Sequence, residues 1–366
     1  MFSLRILVSQ KSRIILTILG MSLCISLMLF LAGIYKGVAD GSVEYIRHND
    51  ADLWILQKSS NNILRGTSIL PYILTNKIVE QKEVESVSPV LLLLTTVKRR
   101  NNFATLFLAG YPKGNKYGGP PEIVEGKNVE NDNEIVLDKA FASKMRYKIG
   151  DSVRVQDSKL LLVGLSSGTN AFVIQYGFTT LKRASKLLGF PGIVTTFIVK
   201  LKPNSNRSDA AEKLKTALPN TSIFDQGTFL KNNITETESG ILPIFYSIAG
   251  LGGIVLTVIL SLILSINILE KRKDMAVMKA MGAPKYFLPM LVLNQAMIIS
   301  AVSIIISLFI YFPMVNLIEM VSPEVSAKIT VYQVILISIL IMIMSLISSM
   351  ISINKLRNIY PLEVFQ

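Results

Sequence analysis

The chain has 366 residues, half of them apolar and 17% charged, with a mean hydropathy of +0.47. A soluble domain is usually about 25% charged, so the composition argues against a wholly soluble, disordered or fibrous protein; the charge gathered in mid-chain argues against a wholly membrane-embedded one. The net charge is +13, but the basic residues cluster beside apolar segments and no nucleic-acid-binding motif accompanies them, so no nucleic-acid partner is expected. One cysteine, Cys24, and one histidine, His48, leave no intrachain disulfide, no Cys-based metal site and no multi-His chemistry.

Residues 1–13 are basic and amphipathic, either a short helix in the cytoplasmic interface or a plain extension of the helix that follows. Residues 14–35 are the first transmembrane helix: the charge-free run from Ile14 to Ile34 spans a bilayer core of about 30 Å at about 1.5 Å per residue. The run is too long for the apolar core of a secretory signal, and no small-residue cleavage site follows it.

Residues 36–238 form an inserted extracytoplasmic domain, α+β in pattern, with short helices against mostly antiparallel sheets. Strands are expected at 51–56, 90–97, 103–109, 135–137, 152–155, 160–163 and 196–201, rich in Val, Ile, Leu and aromatic residues between turn residues. Helices are expected at 71–82 and 208–217, the second capped by Ser208-Asp209 and ending before Pro219. Residues 111–121 are a loop, or a boundary between two lobes. Trp54 is expected in the core, and Asp50 and Asp52 on one face of a strand start. His48 lacks a nucleophile in any recognisable elbow and reads as a surface or packed residue. The Asn-x-Ser/Thr triplets at Asn206, Asn220 and Asn233 occur by chance in an Asn-rich chain.

Three further transmembrane helices follow, at 239–269, 287–312 and 331–353, with Asn267, Asn294 and Gln295 as polar exceptions and Pro289 and Pro313 expected near helix ends. Between them lie a segment at 270–286, a short extracytoplasmic loop at 313–330 and a C-terminus at 354–366. Arg5, Lys11 and Arg13, then Lys271, Arg272, Lys273, Lys279 and Lys285, then Lys355 and Arg357 all mark the same side, so both termini and the 270–286 segment are expected in the cytoplasm. No charge lies deep in any helix, which disfavours an ion-coupled carrier. No Gly-x4-Gly-Lys-Ser/Thr loop is present, so any nucleotide hydrolysis belongs to another chain. Gly250, Gly252, Gly253, Ser261 and Ser265 are small enough for close helix packing, either across a dimer or within one subunit.

The most informative segment is Glu270-Lys-Arg-Lys-Asp-Met-Ala-Val-Met-Lys-Ala-Met-Gly-Ala-Pro-Lys285. Gly282 can end a helix with positive φ, Pro284 cannot continue it, and Lys279 complements the dipole of the last turn. Met275 and Met278 offer adaptable apolar knobs. The segment resembles that of the FtsX/MacB-type ABC permeases, with Glu270, Lys271 and Arg272 at its charged start, Asp274 at the second acidic position, Met275 and Met278 at the apolar ones, Lys279 at the basic one, and Ala280, Gly282 and Ala283 matching directly. The closing Asn358-Ile-Tyr-Pro-Leu-Glu-Val-Phe365 is similar to the family's ending, and Asn49 to Ile55 with Val84 to Val90 are most similar to DevC-type exporters.

The resemblance implies a non-catalytic permease in the bacterial inner membrane, working as a homodimer with two cytoplasmic ATPase subunits that carry ATP and Mg. Glu270, Lys271, Arg272, Asp274, Met275, Met278, Lys279, Gly282, Ala283 and Pro284 would then couple to the ATPase. It further implies mechanotransmission: ATPase closure moves the helices, and the outer domain acts on an amphiphile already outside, be it glycolipid, lipoprotein, haem, peptide or drug. A periplasmic adaptor and an outer-membrane channel belong to the same implication, with membrane lipids around the helices. The alternative within the family is an FtsX-like regulator of a cell-wall hydrolase.

Overall fold

The computed structural model describes residues 11–63, 66–100, 102–171, 174–321, 327 and 329–356. The first ten residues of the expected amphipathic segment and the closing motif at 358–365 lie outside the described residues. The chain divides into two compact units: Lys36–Ile241 with Glu319–Ser326, and Met1–Tyr35 with Leu242–Ile318 and Ala327–Gln366.

The first unit is the inserted domain. Its strands are β1 (Leu53–Gln57), β2 (Leu70–Pro71), β3 (Val84–Arg99), β4 (Asn102–Tyr111), β5 (Glu122–Gly126), β6 (Glu134–Asp138), β7 (Ser152–Val155), β8 (Ser158–Ser167), β9 (Asn170–Ala171), β10 (Ile174–Thr180), β11 (Ile193–Val194), β12 (Thr196–Leu201) and β13 (Thr221–Asp225). Helix α1 (Lys11–His48) enters the domain; α2 (Leu74–Val79), α3 (Lys139–Lys144), α4 (Leu181–Leu188) and α5 (Arg207–Ala217) lie within it; α6 (Gln226–Glu270) leaves it. The main sheet runs β13-β1-β12-β3-β4-β10-β6-β8-β5, with β7 against β3 and β8. Its pairings are antiparallel except β4 with β10 and β6 with β8.

The long strand β3 joins two lobes, pairing with β12 through its first half and with β4 and β7 through its second. The lobe junction therefore lies inside a strand, not at residues 111–121. That loop instead lies over the sheet: Tyr45 Oη donates to the Gly118 carbonyl at 2.9 Å, and Gly118 N–H donates to Asn49 Oδ1 at 2.6 Å. A strand buried on both faces reads as a continuous apolar run. In β1, Leu53 and Ile55 join one core with Phe197, Val199 and Leu214, while Trp54 and Leu56 join another with Tyr45, Phe107, Tyr176 and Phe178. Trp54 stacks on Phe229 at 4.9 Å and donates to Gln226 at 2.6 Å.

Each strand expected from the sequence is present, several of them longer. The cap expected at Ser208-Asp209 is Asn206, whose side chain accepts the Ser208 N–H at 3.0 Å; Asp209 falls in the first turn, where its charge suits the dipole. Strands β2, β5, β9, β10, β11 and β13 and helices α3 and α4 have no counterpart among the elements expected from the sequence. In β10, Gly177 interrupts the apolar pattern because the strand packs so closely that a Cβ there would stand 2.6 Å from Leu106.

Among the described residues four helices are long and apolar enough to cross a membrane: Ile14–His48 of α1, Leu242–Glu270 of α6, α8 (Phe287–Val321) and Val331–Asn354 of α9 (Val331–Leu356); the second unit takes α1 up to Tyr35, α6 from Leu242, α8 up to Ile318, and α9. Helix α8 runs through Pro313 instead of ending there. The proline forfeits its own N–H bond, a local loss. Packing on the adjacent turns outweighs it: Val315 and Tyr311 are buried, and Tyr311 Oη donates to the Ala327 carbonyl at 2.8 Å.

Small polar residues line the helix contacts. Ser22 and Ser26 of α1 donate to the carbonyls of Ser303 and Ser307 on α8 at 3.2 and 3.0 Å. Ser352 of α9 donates to the Ser261 carbonyl at 3.1 Å, and Ser265 reaches Ser352 Oγ at 3.5 Å. Gly253 faces the Met344 side chain. Gly253, Ser261 and Ser265 thus have neighbours within the chain, an added Cβ at Gly252 would lie 3.9 Å from Met28, and Gly250 has nothing within 4 Å of an added Cβ.

Candidate functional site

The candidate site is built from the segment that follows α6. Lys271 alone separates α6 from a short helix, α7 (Arg272–Ala280). Asp274 stands in the first turn and Lys279 in the last, so both charges complement the helix dipole. The helix stops at Gly282, whose φ of 90° lies in the left-handed region. Gly282 N–H donates to the Lys279 carbonyl and Ala283 N–H to the Met278 carbonyl, each at 3.1 Å. This paired arrangement is a Schellman cap, which satisfies carbonyls the helix end would otherwise leave open. Pro284 then bars continuation, and its carbonyl accepts the Phe287 N–H at 2.9 Å as α8 begins.

Side chains sort by face. Met275 is 3% exposed and Ala276 is fully buried, so these two hold α7 to its own unit. With about 3.6 residues per turn, Val277 falls on the opposite side from Met275, and Met281, at the C-cap, about a third of a turn from Met275. Both are exposed, Met281 at 76%. Met278, Met281, Gly282, Ala283, Pro284 and Phe287 line a shallow hollow of about 360 Å³. Arg272, Lys273, Asp274 and Lys285 are exposed nearby in the chain. An apolar hollow with charges about it accepts an apolar side chain and orients it by its rim. Among the described residues, no group of His, Cys, Asp and Glu is arranged to hold a metal ion.

Two family profiles match the chain. The MacB-like periplasmic core domain covers residues 14–217, and the FtsX-like permease C-terminal region covers residues 237–361. The chain is a permease of the FtsX/MacB type. Among curated proteins, the permease is 22% identical over 315 residues to uncharacterized ABC transporter permeases of Mycobacterium tuberculosis strains CDC 1551 / Oshkosh and ATCC 25618 / H37Rv, covering 84% of this chain and 85% of each relative. Among solved structures, it is similar to the periplasmic region of MacB from Actinobacillus actinomycetemcomitans, with a TM-score of 0.40, 15% identity, and coverage of 51% of this chain and 94% of that one. It is also similar to the extracellular domain of the noncanonic ABC-type transporter YknZ from Gram-positive bacteria, with a TM-score of 0.38, 11% identity, and coverage of 48% of this chain and 100% of that one. The permease is thus a multi-pass membrane protein of a family whose members are typically non-catalytic subunits served by an ATPase.

Within the permease, Met278, Gly282, Ala283 and Pro284 meet at the hollow. Glu270, Lys271, Arg272, Asp274 and Lys279 lie along α7 and its approach. Met275 is not a surface knob; its side chain is taken up by packing in its own unit. The hollow also takes in Met281 and Phe287, and Val277 is exposed beside them in the chain; sequence reasoning singles out none of the three. Met281 directly precedes the terminating glycine, where an apolar residue one helical turn after Val277 is the available signal. Phe287 was assigned to the membrane run that it begins.

Proposed function

We propose that the permease couples ATP hydrolysis by a separate cytoplasmic ATPase to the export or extraction of an amphiphile by mechanotransmission. Two copies of the permease and two ATPase subunits, which carry ATP and Mg, make the working complex. Both termini and α7 lie in the cytoplasm, and the inserted domain lies outside. α7 seats against the ATPase through the Met278–Met281–Phe287 hollow and its flanking charges, and ATPase closure is passed to the membrane helices that bracket it. As in the DevC-like exporters that the sequence resembles, a periplasmic adaptor and an outer-membrane channel complete the route.

The observation that carries this proposal is the capped helix α7 with its apolar hollow, placed between two membrane-length helices in a chain with no nucleotide-binding loop of its own. Purification in mild detergent followed by mass spectrometry tests it: an ATPase subunit is expected at equal stoichiometry, and its absence after crosslinking in the membrane overturns the proposal. With that ATPase in hand, Met278→Asp and Met281→Asp should abolish the permease-dependent stimulation of hydrolysis while membrane insertion is kept. Met281 accepts a charge at the surface of the free permease and Met278 is half-buried there, but a buried unpaired charge at a partner contact is strongly unfavourable. Unchanged stimulation in both variants would move the contact elsewhere. A co-purifying peptidoglycan hydrolase in place of an adaptor would favour the FtsX-like regulatory role.

A further inference from the structure

The inserted domain carries a cationic row that the coupling mechanism does not use. Sheet register sets Lys98 of β3 opposite Arg154 of β7, and Arg154 opposite Lys159 of β8. All three are exposed and alternate with buried Val97, Val153, Val155 and Leu160, so they share the outer face. Neighbouring strands lie about 4.8 Å apart, and like charges directly opposite one another destabilise a sheet. Among the described residues none of the three is paired with a carboxylate.

The row borders a hollow of about 530 Å³, to which Arg99 and Arg100 also contribute and in which Asp151 is the one acid. That acid is already engaged: its Oδ2 accepts Arg99 Nη2 and the Lys148 N–H, each at 3.1 Å. Arg99 is stacked over the Tyr147 ring at 4.2 Å, and its Nη1 has no hydrogen-bond partner. An apolar end completes the row: Phe103, 65% exposed, pairs with Lys98 across β4 and β3 and lies 5.1 Å from its Nζ. Leu161, also exposed, sits two residues along β8 from Lys159 on the same face, opposite Ser152.

We infer that this face binds the phosphate-bearing headgroup of an anionic amphiphile. The cations take the phosphate oxygens, with the arginine forks suited to bidentate contact, and Phe103 and Leu161 take the first methylenes of the tail. A concave hollow of this volume suits a headgroup better than the flat contact of a protein partner. Calling the ligand a substrate rests on the export proposal; the binding itself does not, and it is measured without the ATPase so that either can fail alone.

The test uses the full-length permease in phosphatidylcholine nanodiscs, titrated with dihexanoyl phosphatidic acid, dihexanoyl phosphatidylcholine, inorganic phosphate and a polyglutamate peptide. The phosphatidic acid should bind at least about tenfold more tightly than the zwitterion, and Lys98→Gln/Arg154→Gln/Lys159→Gln should remove about tenfold of that affinity. Phe103→Ala should weaken the phosphatidic acid by about fivefold and leave phosphate unchanged. Thermal unfolding of the triple variant should be equal to or above wild type, because like-charge repulsion is relieved, which separates loss of a site from loss of the fold. Equal affinity in wild type and triple variant overturns the inference. So does phosphate binding as tightly as the amphiphile, or polyglutamate binding where the phosphatidic acid does not, which would assign the face to an acidic protein.

Discussion

The two units of the permease bury opposite kinds of residue. The inserted domain hides Trp54, Tyr176, Phe178 and Phe197 and keeps its lysines outside. The helical unit buries Ser22, Ser26, Ser303, Ser307 and Ser352 at helix contacts and exposes Leu16, Leu23, Leu251, Leu262 and Phe309. The difference teaches that each unit is organised by its solvent. Water drives apolar side chains together. Lipid is as apolar as leucine, so helices there associate through small residues that let backbones approach and hydroxyls bond across.

Substitutions can break this contrast or sharpen it. The largest effect is expected from Trp54→Ala, which removes the ring stacked on Phe229 and the bond to Gln226; about 3–5 kcal/mol of domain stability should go, read as protease sensitivity of the inserted domain with membrane insertion intact. In the helical unit enlargement, not truncation, should do harm. Ser303→Leu should cost about 1–3 kcal/mol by overpacking the contact with α1, seen as a lower unfolding temperature in detergent. Ser26→Ala, which deletes only a hydroxyl bonded at 3.0 Å, should cost about 0.6 kcal/mol. If Ser303→Leu were neutral and Ser26→Ala severe, the serines would be serving a polar pathway and not a packing seam.

At the end of α7, Gly282→Ala should cost about 1 kcal/mol, because alanine resists a φ of 90°. It should lower ATPase stimulation while the hollow's side chains stay in place.

The smallest effect concerns acid. Burial pushes the Glu134 carboxyl up, but bonds from the Asn131 side chain and from the Glu130 and Asn131 N–H groups, with Lys127 nearby, outweigh it and hold the group below its ordinary value. A depressed carboxylate stabilises the fold above its unfolded value of about 4.3, and that stability is lost as pH falls through the folded value. Glu134→Gln should therefore lower stability at neutral pH and flatten the loss on acidification; an unchanged pH profile would show that the network carries no stability.

The strands with Val, Ile and Leu between turns were legible, as were the apolar helices and the capped segment before Gly282, because period, run length and turn residues are local properties. What escaped was set by neighbours. β10 hid behind Gly177, which is small because Leu106 is close. Met275 and Met281 look alike in the sequence, and only the direction of α7 against its unit buries one and exposes the other. Lys98, Arg154 and Lys159 are 56 and 5 positions apart in the chain and form a row only through strand register.

By itself the sequence determined that four apolar runs are long enough to cross a membrane, that an α+β domain is inserted after the first, and that a basic, glycine-terminated segment joins the second and third. Local hydropathy, charge and backbone preference suffice for such features. Only the tertiary structure decided that two lobes meet within β3, that serines seal the helix contacts, which side of α7 faces outward, and that three distant cations share one sheet face. Those outcomes depend on pairing and packing between residues far apart in the chain, which no local pattern records.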